Sequence, residues 1–237
     1  MKPISDLNAL FDGGFTTEYD GFVEGIQAVR TSIHELGELI LTSGTIVPCD
    51  PLMCPDTRYH LTKTLRPGSY PIIASLAKFS PSGDARFAAV MLKVSDAPTI
   101  RWEIAEINEP DQTSNRNARF TYGVDAGTGC FVDQDAAEVI SNLVSLEVKY
   151  PNKDDFELFC DRVIGEMDRN AFGKYHVAGW ADLKVSDNTE ANIICFSSGF
   201  GDGGYASFWG YDYLGNLTSL ATDFALFDPI ENEVAEN

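Results

Sequence analysis

Positive charge is what this 237-residue chain has little of: 17 Lys/Arg stand against 36 Asp/Glu, with three His. No Lys or Arg follows Lys184, whereas nine acids do. A formal charge of −19 repels nucleic acid and anionic membrane and attracts cations or basic proteins. Neither nucleic acid nor membrane is therefore expected as a partner. Long apolar runs are missing too, since none reaches the ~18 residues of a membrane-spanning helix. The stretch from Met1 to Asp6 lacks a signal peptide's apolar core and carries an acid in place of its basic start, so a cytoplasmic location is expected. The five cysteines are odd in number and scattered, which in a reducing compartment reads as thiols rather than disulfides. The Gly-x-Ser-x-Gly elbow is absent, against a serine hydrolase of that type. Strand–helix alternation is absent as well, against a doubly wound parallel sheet. With no internal repeat and no credible linker, a single domain over residues 1–237 is expected.

The acids are unevenly placed. Residues 1–100 carry 8 Lys/Arg and 11 Asp/Glu, a net of −3, and residues 101–237 carry 9 and 25, a net of −16. Residues 1–36 read as helix and loop, with Phe22, Ile26, Val29 and Ile33 at helical spacing. A β-rich core is expected over 37–225 and an acidic, frayed tail over 226–237. The core opens on an expected hairpin, Glu38–Leu41 and Thr45–Pro48 around Ser43-Gly44. A Pro-rich irregular stretch covers 49–68. Strands follow at Tyr70–Lys78 and Arg86–Val94, and Thr99–Ile107 alternates with Ile100, Trp102 and Ile104 on one face. After a polar loop at 108–117, strands are read at Arg119–Val124 and Cys130–Val132. Asp133 suits the N-cap of a helix running to about Val144, lined by Ala136, Val139, Ile140 and Leu143. A second helix at about 153–168 carries the stripe Phe156, Phe159, Val163 and Met167, with acids in its first turn. Tyr175–Val185 reads as a strand. Asn192–Ser198, Tyr205–Tyr211 and Leu217–Phe224 read as a three-strand meander. The expected fold is α+β, mostly β: a large antiparallel sheet or sandwich of nine or ten strands with two or three helices.

Few constellations could carry chemistry. Cys49, Cys54 and His60 are the nearest thing to a zinc set, but no second Cys/His pair lies near, so no metal site is expected. No local pattern pairs a cysteine with a histidine as nucleophile and base. The segment Ser197 to Tyr205 holds Gly199, Gly201, Gly203 and Gly204 around Asp202. A phosphate cradle would need a helix and a basic residue after the glycines; here a strand follows, and no cofactor is expected. Two readings stay open, a glycine-rich hairpin or a functional loop presenting Asp202. Tyr205, Ser207, Trp209 and Tyr211 share one strand face, which is either core or a binding surface. Asp212 to Asn216 reads as a hairpin turn rather than a calcium loop. Asp50, Asp125, Asp133, Asp202, Asp212 and Asp223 all stand at strand ends. They are turn and cap residues or, where several converge, a cation or acid/base site.

The motifs from Gly37 to Leu39, from Ser43-Gly44 through Asp50-Pro51, and from Pro67 to Pro71 resemble a bacterial family catalogued as domain of unknown function 4241. The resemblance continues through Arg86 to Ala89, Gly123 to Gly127 and on to Asp133, and Ser198 to Gly203. Tyr205, Gly210 to Gly215, and Asp223-Phe224 complete it, so that it covers residues from about 37 to 225. The resemblance brings no established activity. Several members resemble accessory or immunity-type genes beside toxins, and a role of that kind is what it implies.

Three functions compete. The first is an acidic intracellular binding protein of the immunity or inhibitor kind, meeting a basic protein partner such as a toxin. Its candidate surface comprises Asp50, Asp125, Gly199, Asp202, Gly203, Tyr205, Trp209, Tyr211, Asp212 and Asp223, with Tyr205, Trp209 and Tyr211 as anchors and the tail acids Glu231, Glu233 and Glu236 adding steering. The second is a hydrolase using a metal or paired carboxylates drawn from Asp50, Asp125, Asp202 and Asp223. The third is a small-ligand pocket lined by Trp102, Trp180 and Trp209. No catalytic residue is assigned, whether the chain is an enzyme stays open, and oligomeric state is not legible.

Overall fold

Strands are the main regular element of this chain, some with alternating burial, such as the start of the strand at Gln27–Leu41, and some buried on both faces, such as that at Thr128–Asp133. In the computed structural model, which describes residues 3, 5–21, 25–53, 55–108, 120–145, 155–186 and 189–227, twelve strands and three α-helices form. The first helix, α1 (Leu7–Asp12), is short; Asp6 caps it by accepting from the Ala9 N–H. Strands β1 (Thr16–Tyr19) and β2 (Gln27–Leu41) follow. The helical spacing read into Phe22, Ile26, Val29 and Ile33 is thus overturned. Gln27, Val29 and Thr31 are buried with exposed residues between them, Ile26 is exposed, and Phe22 lies outside the described residues. A four-residue spacing also keeps one face of a strand, and the β-branched Val, Thr and Ile favour that choice.

Next come β3 (Ile46–Cys49), β4 (Gly68–Ser80), β5 (Ala85–Lys93) and β6 (Arg101–Ile104). They are followed by β7 (Tyr122–Val124), β8 (Thr128–Asp133), α2 (Gln134–Ser145) and α3 (Asp155–Arg169). The chain closes with β9 (Trp180–Lys184), β10 (Asn192–Ser197), β11 (Gly203–Tyr211) and β12 (Leu217–Asp223). One antiparallel sheet of eight strands runs β1-β2-β4-β5-β12-β11-β6, with β7 also pairing β11. A second, four-stranded sheet runs β3-β8-β10-β9. The fold is α+β, mostly β, as the alternation implies.

Two expected pairings are corrected. β2 and β3 are not a hairpin: β2 lies between β1 and β4, whereas β3 pairs with β8. The chain switches sheets at Ser43-Gly44 because Asp133, fully buried, holds that turn. Its carboxylate accepts from Thr42 Oγ1, the Ser43 N–H and Oγ, and the Gly44 N–H, and it also caps α2 through the Asp135 N–H. Likewise the three C-terminal strands form, but β10 joins β8 and β9 while only β11 and β12 pair. The strand read at Tyr175–Val185 shortens to β9, preceded by turns.

The layers follow from which face each strand buries. The largest core, with Leu39, Leu76, Phe87, Phe131, Phe196 and Leu220, lies between the two sheets. A second core puts Val47, Cys130, Ile193 and Cys195 of the smaller sheet against Ile140 of α2 and Val163 of α3. A third places Leu7 and Leu10 of α1 on Phe79, Ala89 and Phe208, on the outer face of the larger sheet. Gly37 makes β2 serve two of these cores. A bulge between Glu35 and Gly37 inserts one residue, so Val29 faces α1 whereas Leu39 and Leu41, also odd-numbered, face the smaller sheet. Gly37 has φ +138°, which strains any other residue, and a Cβ there would meet Asp182 Oδ2 at 2.5 Å and displace that carboxylate.

Candidate functional site

Asp50, Asp125 and Asp202 are far apart in sequence, and the fold brings them to one place. The turn from Asp125 to Gly127 links β7 to β8 and is gripped from two sides. Asp50, at the end of β3 and only 4% exposed, accepts through Oδ2 from the Asp125 N–H (2.9 Å) and the Ala126 N–H (2.7 Å). Its Oδ1 accepts from the Leu52 N–H at 2.9 Å, closing the 3₁₀ turn Pro51–Met53. From the other side Asp202 Oδ1 accepts from the Gly127 N–H at 3.0 Å, while the Ser198 N–H donates to the Gly127 carbonyl at 3.1 Å.

The glycine-rich loop is therefore part of the grip. Tyr205 donates its hydroxyl toward the carbonyls of Ser198 and Gly201, and its ring meets Phe224 edge-on with centroids 5.1 Å apart. Partial burial pushes the Tyr205 hydroxyl above its ordinary pKa, against a lowering hydrogen bond to Ser198. Gly199 has φ +56°, and a Cβ there would lie 2.9 Å from Phe224 Cβ, so only glycine lets the loop cross Phe224. The loop is not the hairpin that its glycines suggest, since β10 and β11 lie in different sheets; it links the two sheets and sets Asp202 against the Asp125–Gly127 turn.

Two depressions adjoin at this spot and share Met53 and Gly123. The outer one, about 570 Å³, is lined by Met53, Val124, Asp125, Asp202 and Gly203. The inner one, about 290 Å³, reaches Cys49, Asp50, Asp56, Tyr59 and Tyr122. Asp125 and Asp202 are exposed on the outer rim beside Met53, which is 56% exposed. Asp56 is held below the usual carboxylate range by its hydrogen bonds from Arg58.

The other nominated residues lie elsewhere. Trp209 and Tyr211 are buried, 2% and 7% exposed, within the core between the sheets. The reading of these two as outward anchors is corrected: strand β11 is covered on both faces, by the smaller sheet on one and α1 on the other. Lys63 donates to the Tyr211 hydroxyl, and Lys63 and Arg101 lie over the Tyr211 ring at 4.8 and 4.6 Å. Asp212 accepts from Leu214 N–H, Asn216 N–H and Asn216 Nδ2, which hold the β11–β12 turn; the Asn216 side chain leads in lowering its pKa. Asp223 accepts from Ser5 N–H and Oγ, at 2.8 Å each, and from the Ala225 N–H. These two aspartates are structural acceptors away from the Asp125 turn. The acids Glu231, Glu233 and Glu236 and the thiol of Cys54 lie outside the described residues.

Trp102 and Trp209 line a common depression of about 470 Å³ with Lys63, but Trp180 is not part of it; it stacks on Phe172 instead. Among the described residues no three His, Cys, Asp or Glu side chains gather as a metal set. The sequence reading missed a depression of about 1070 Å³ on β1, β2 and β4, where Arg30, Lys78 and Glu18 project. The only sign of it in the sequence is the alternation of these charged residues with apolar ones.

A family described as "Protein of unknown function (DUF4241)" matches residues 39–222, which takes in the Asp50, Asp125 and Asp202 loops. No curated protein and no solved structure matches the chain. No helix among the described residues is long and apolar enough to cross a membrane.

Proposed function

The chain belongs to the DUF4241 family, and from the geometry of its loop cluster we propose that it is an acidic binding protein whose partner is a basic protein, in the manner of an immunity or inhibitor protein. The observation that carries this reading is the grip on the Asp125–Gly127 turn. Asp50 and Asp202 hold its three N–H groups, so the exposed Asp125 carboxylate is presented from a fixed backbone beside Met53. A pre-set acidic rim with one exposed apolar side chain suits a cationic surface, because no loop has to be ordered on association. Charge of the same sign over residues 101–237 would speed encounter and make it salt-dependent. Both oxygens of Asp50 are occupied by backbone donors, which argues against Asp50 as the free base of a carboxylate hydrolase.

The test is capture of partners by the immobilised protein from an extract of its own cells, compared between wild type and the rim variants Asp125→Lys and Met53→Glu. A basic protein should be retained by the wild type, lost by about tenfold in either variant, and released as salt rises. Retention that ignores both substitutions would overturn the reading.

A further inference from the structure

Four of the five cysteines in the sequence, namely Cys49, Cys130, Cys160 and Cys195, meet in the core between the smaller sheet and its helices. The register of that sheet sets Cys49 of β3 directly opposite Cys130 of β8, and Cys195 of β10 opposite Cys130 on its other side. In the first pair the Sγ atoms are 3.4 Å apart, in contact, and both are thiols. Directly opposed residues of antiparallel strands have Cα atoms about 4.5–5.5 Å apart, inside the range that a disulfide spans. The two residues differ in access. Cys130 is fully buried, while Cys49 is partly exposed and lines the inner depression of about 290 Å³ with Asp50, Tyr59 and Tyr122. That space admits a molecule the size of a peroxide, since a water occupies about 30 Å³.

We propose that Cys49 and Cys130 form a peroxide-oxidisable dithiol, with Cys49 the thiol that meets the oxidant and Cys130 the one that resolves it. Cys49 sulfur attacks one oxygen of a hydroperoxide, the O–O bond breaks, and Cys49 becomes a sulfenic acid as water (or the alcohol, from an organic peroxide) leaves. Cys130 sulfur then attacks Cys49 sulfur, the S–O bond breaks, and the hydroxyl departs as water with the Cys130 proton. Two thiols and one hydrogen peroxide give one disulfide and two waters, so the two electrons lost by the sulfurs reduce the peroxide. Backbone movement is not needed, because the β3–β8 ladder already holds the sulfurs in contact.

The experiment treats the full-length folded protein with hydrogen peroxide, blocks remaining thiols under denaturing conditions and maps cross-linked peptides by mass spectrometry. The expected product has lost two hydrogens, retains three blockable thiols and carries a Cys49–Cys130 link that a reductant reverses. Cys130→Ser should stop at a Cys49 sulfenic acid trapped by dimedone, and Cys49→Ser should leave Cys130 reduced. Cys160→Ser should oxidise like the wild type. Five thiols still blockable after treatment, or a link from Cys49 to Cys54 or from Cys130 to Cys195 in its place, would overturn the assignment. The wild-type map needs no substitution, so a variant that fails to fold leaves the test intact.

Discussion

Truncating Asp50 should unlock the turn on which the proposed binding rim is built. Three N–H donors converge on its two oxygens: Leu52 on Oδ1, and Asp125 and Ala126 on Oδ2. Hydrogen bonds to a charged acceptor contribute about 1.5–3 kcal/mol each when the freed donor stays dry. Asp125 and Ala126 are exposed residues, however, so water reaches their amides once Asp50 is gone. Taking about 1 kcal/mol per bond for donors that water can satisfy, Asp50→Ala should cost about 3 kcal/mol. Asp50→Asn is the informative companion. Its amide oxygen can stay with Asp125 and Ala126, which sets the NH₂ group against the Leu52 N–H, or it can flip and set NH₂ against two N–H groups. The first orientation wins, and the loss should be about 1.5 kcal/mol.

Urea denaturation reads both variants at unchanged m-value, and at this chain length 3 kcal/mol corresponds to a fall of about 6–12 °C in Tm. Amide exchange supplies the local readout. The Asp125 and Ala126 amides should exchange about tenfold faster or more in Asp50→Ala, while the Gly127 amide, held by Asp202, changes less. A loss below about 0.5 kcal/mol in Asp50→Ala, within the range of an ordinary surface change, would refute the claim that Asp50 organises the turn.

Asp133→Asn should be the costlier isosteric change, at about 3 kcal/mol by denaturant melting, because Asp133 is fully buried and either amide orientation sets NH₂ against a backbone N–H, the buried one of Gly44 or that of Asp135. A cost under about 1 kcal/mol would mean that the turn between the sheets is held by something else. Asp182 gives a pH signature. Partial burial pushes its carboxyl above the ordinary 3.8, against lowering hydrogen bonds from Asn192 and the Glu38 backbone. The folded protein then binds more protons than the unfolded chain between 3.8 and the raised value. Across that interval Asp182 stability should fall as pH rises, and its contribution levels off above. Subtracting the stability–pH curve of Asp182→Asn from that of the wild type should leave this falling segment, and a flat difference would contradict it.

The elements were legible where one face is wet or the period is clear. The α3 stripe of Phe159, Val163 and Met167 buries as the spacing predicts, and the Asp133 cap is where the sequence places it. Strand pairing was less legible. Consecutive strands usually pair, and that expectation fails at β2–β3 and β10–β11, where the chain crosses between sheets. The cause at Ser43-Gly44 is an acceptor 89 residues further on, which no local pattern announces. Trp209 and Tyr211 share a face, as the alternation says, but alternation is silent on which face is covered when both are. Cys49 and Cys130 are 81 residues apart, and only the β3–β8 register brings them together.

The aspartates at strand ends turn out to divide by what their oxygens already hold. Asp50, Asp133, Asp212 and Asp223 are each nearly buried and each accept three or more N–H or O–H donors. A buried carboxylate is tolerated when donors replace the lost water, so these four spend their charge on fixing turns and, for Asp223, on tying down the N-terminal segment at Ser5. The net charge of −19 is therefore not all available to a partner, and counting acids overstates the surface that a cation would meet. Asp125 is the counter-case: its backbone N–H is held by Asp50, but its carboxylate is out on the rim. Reversing its charge should leave the turn's hydrogen bonds in place and change association alone. Reversing the charge of any of the four buried acids should unfold or loosen the protein before any partner is consulted. That difference separates a charge that recognises from a charge that builds, and it makes Asp125→Lys the cleaner of the two kinds of probe.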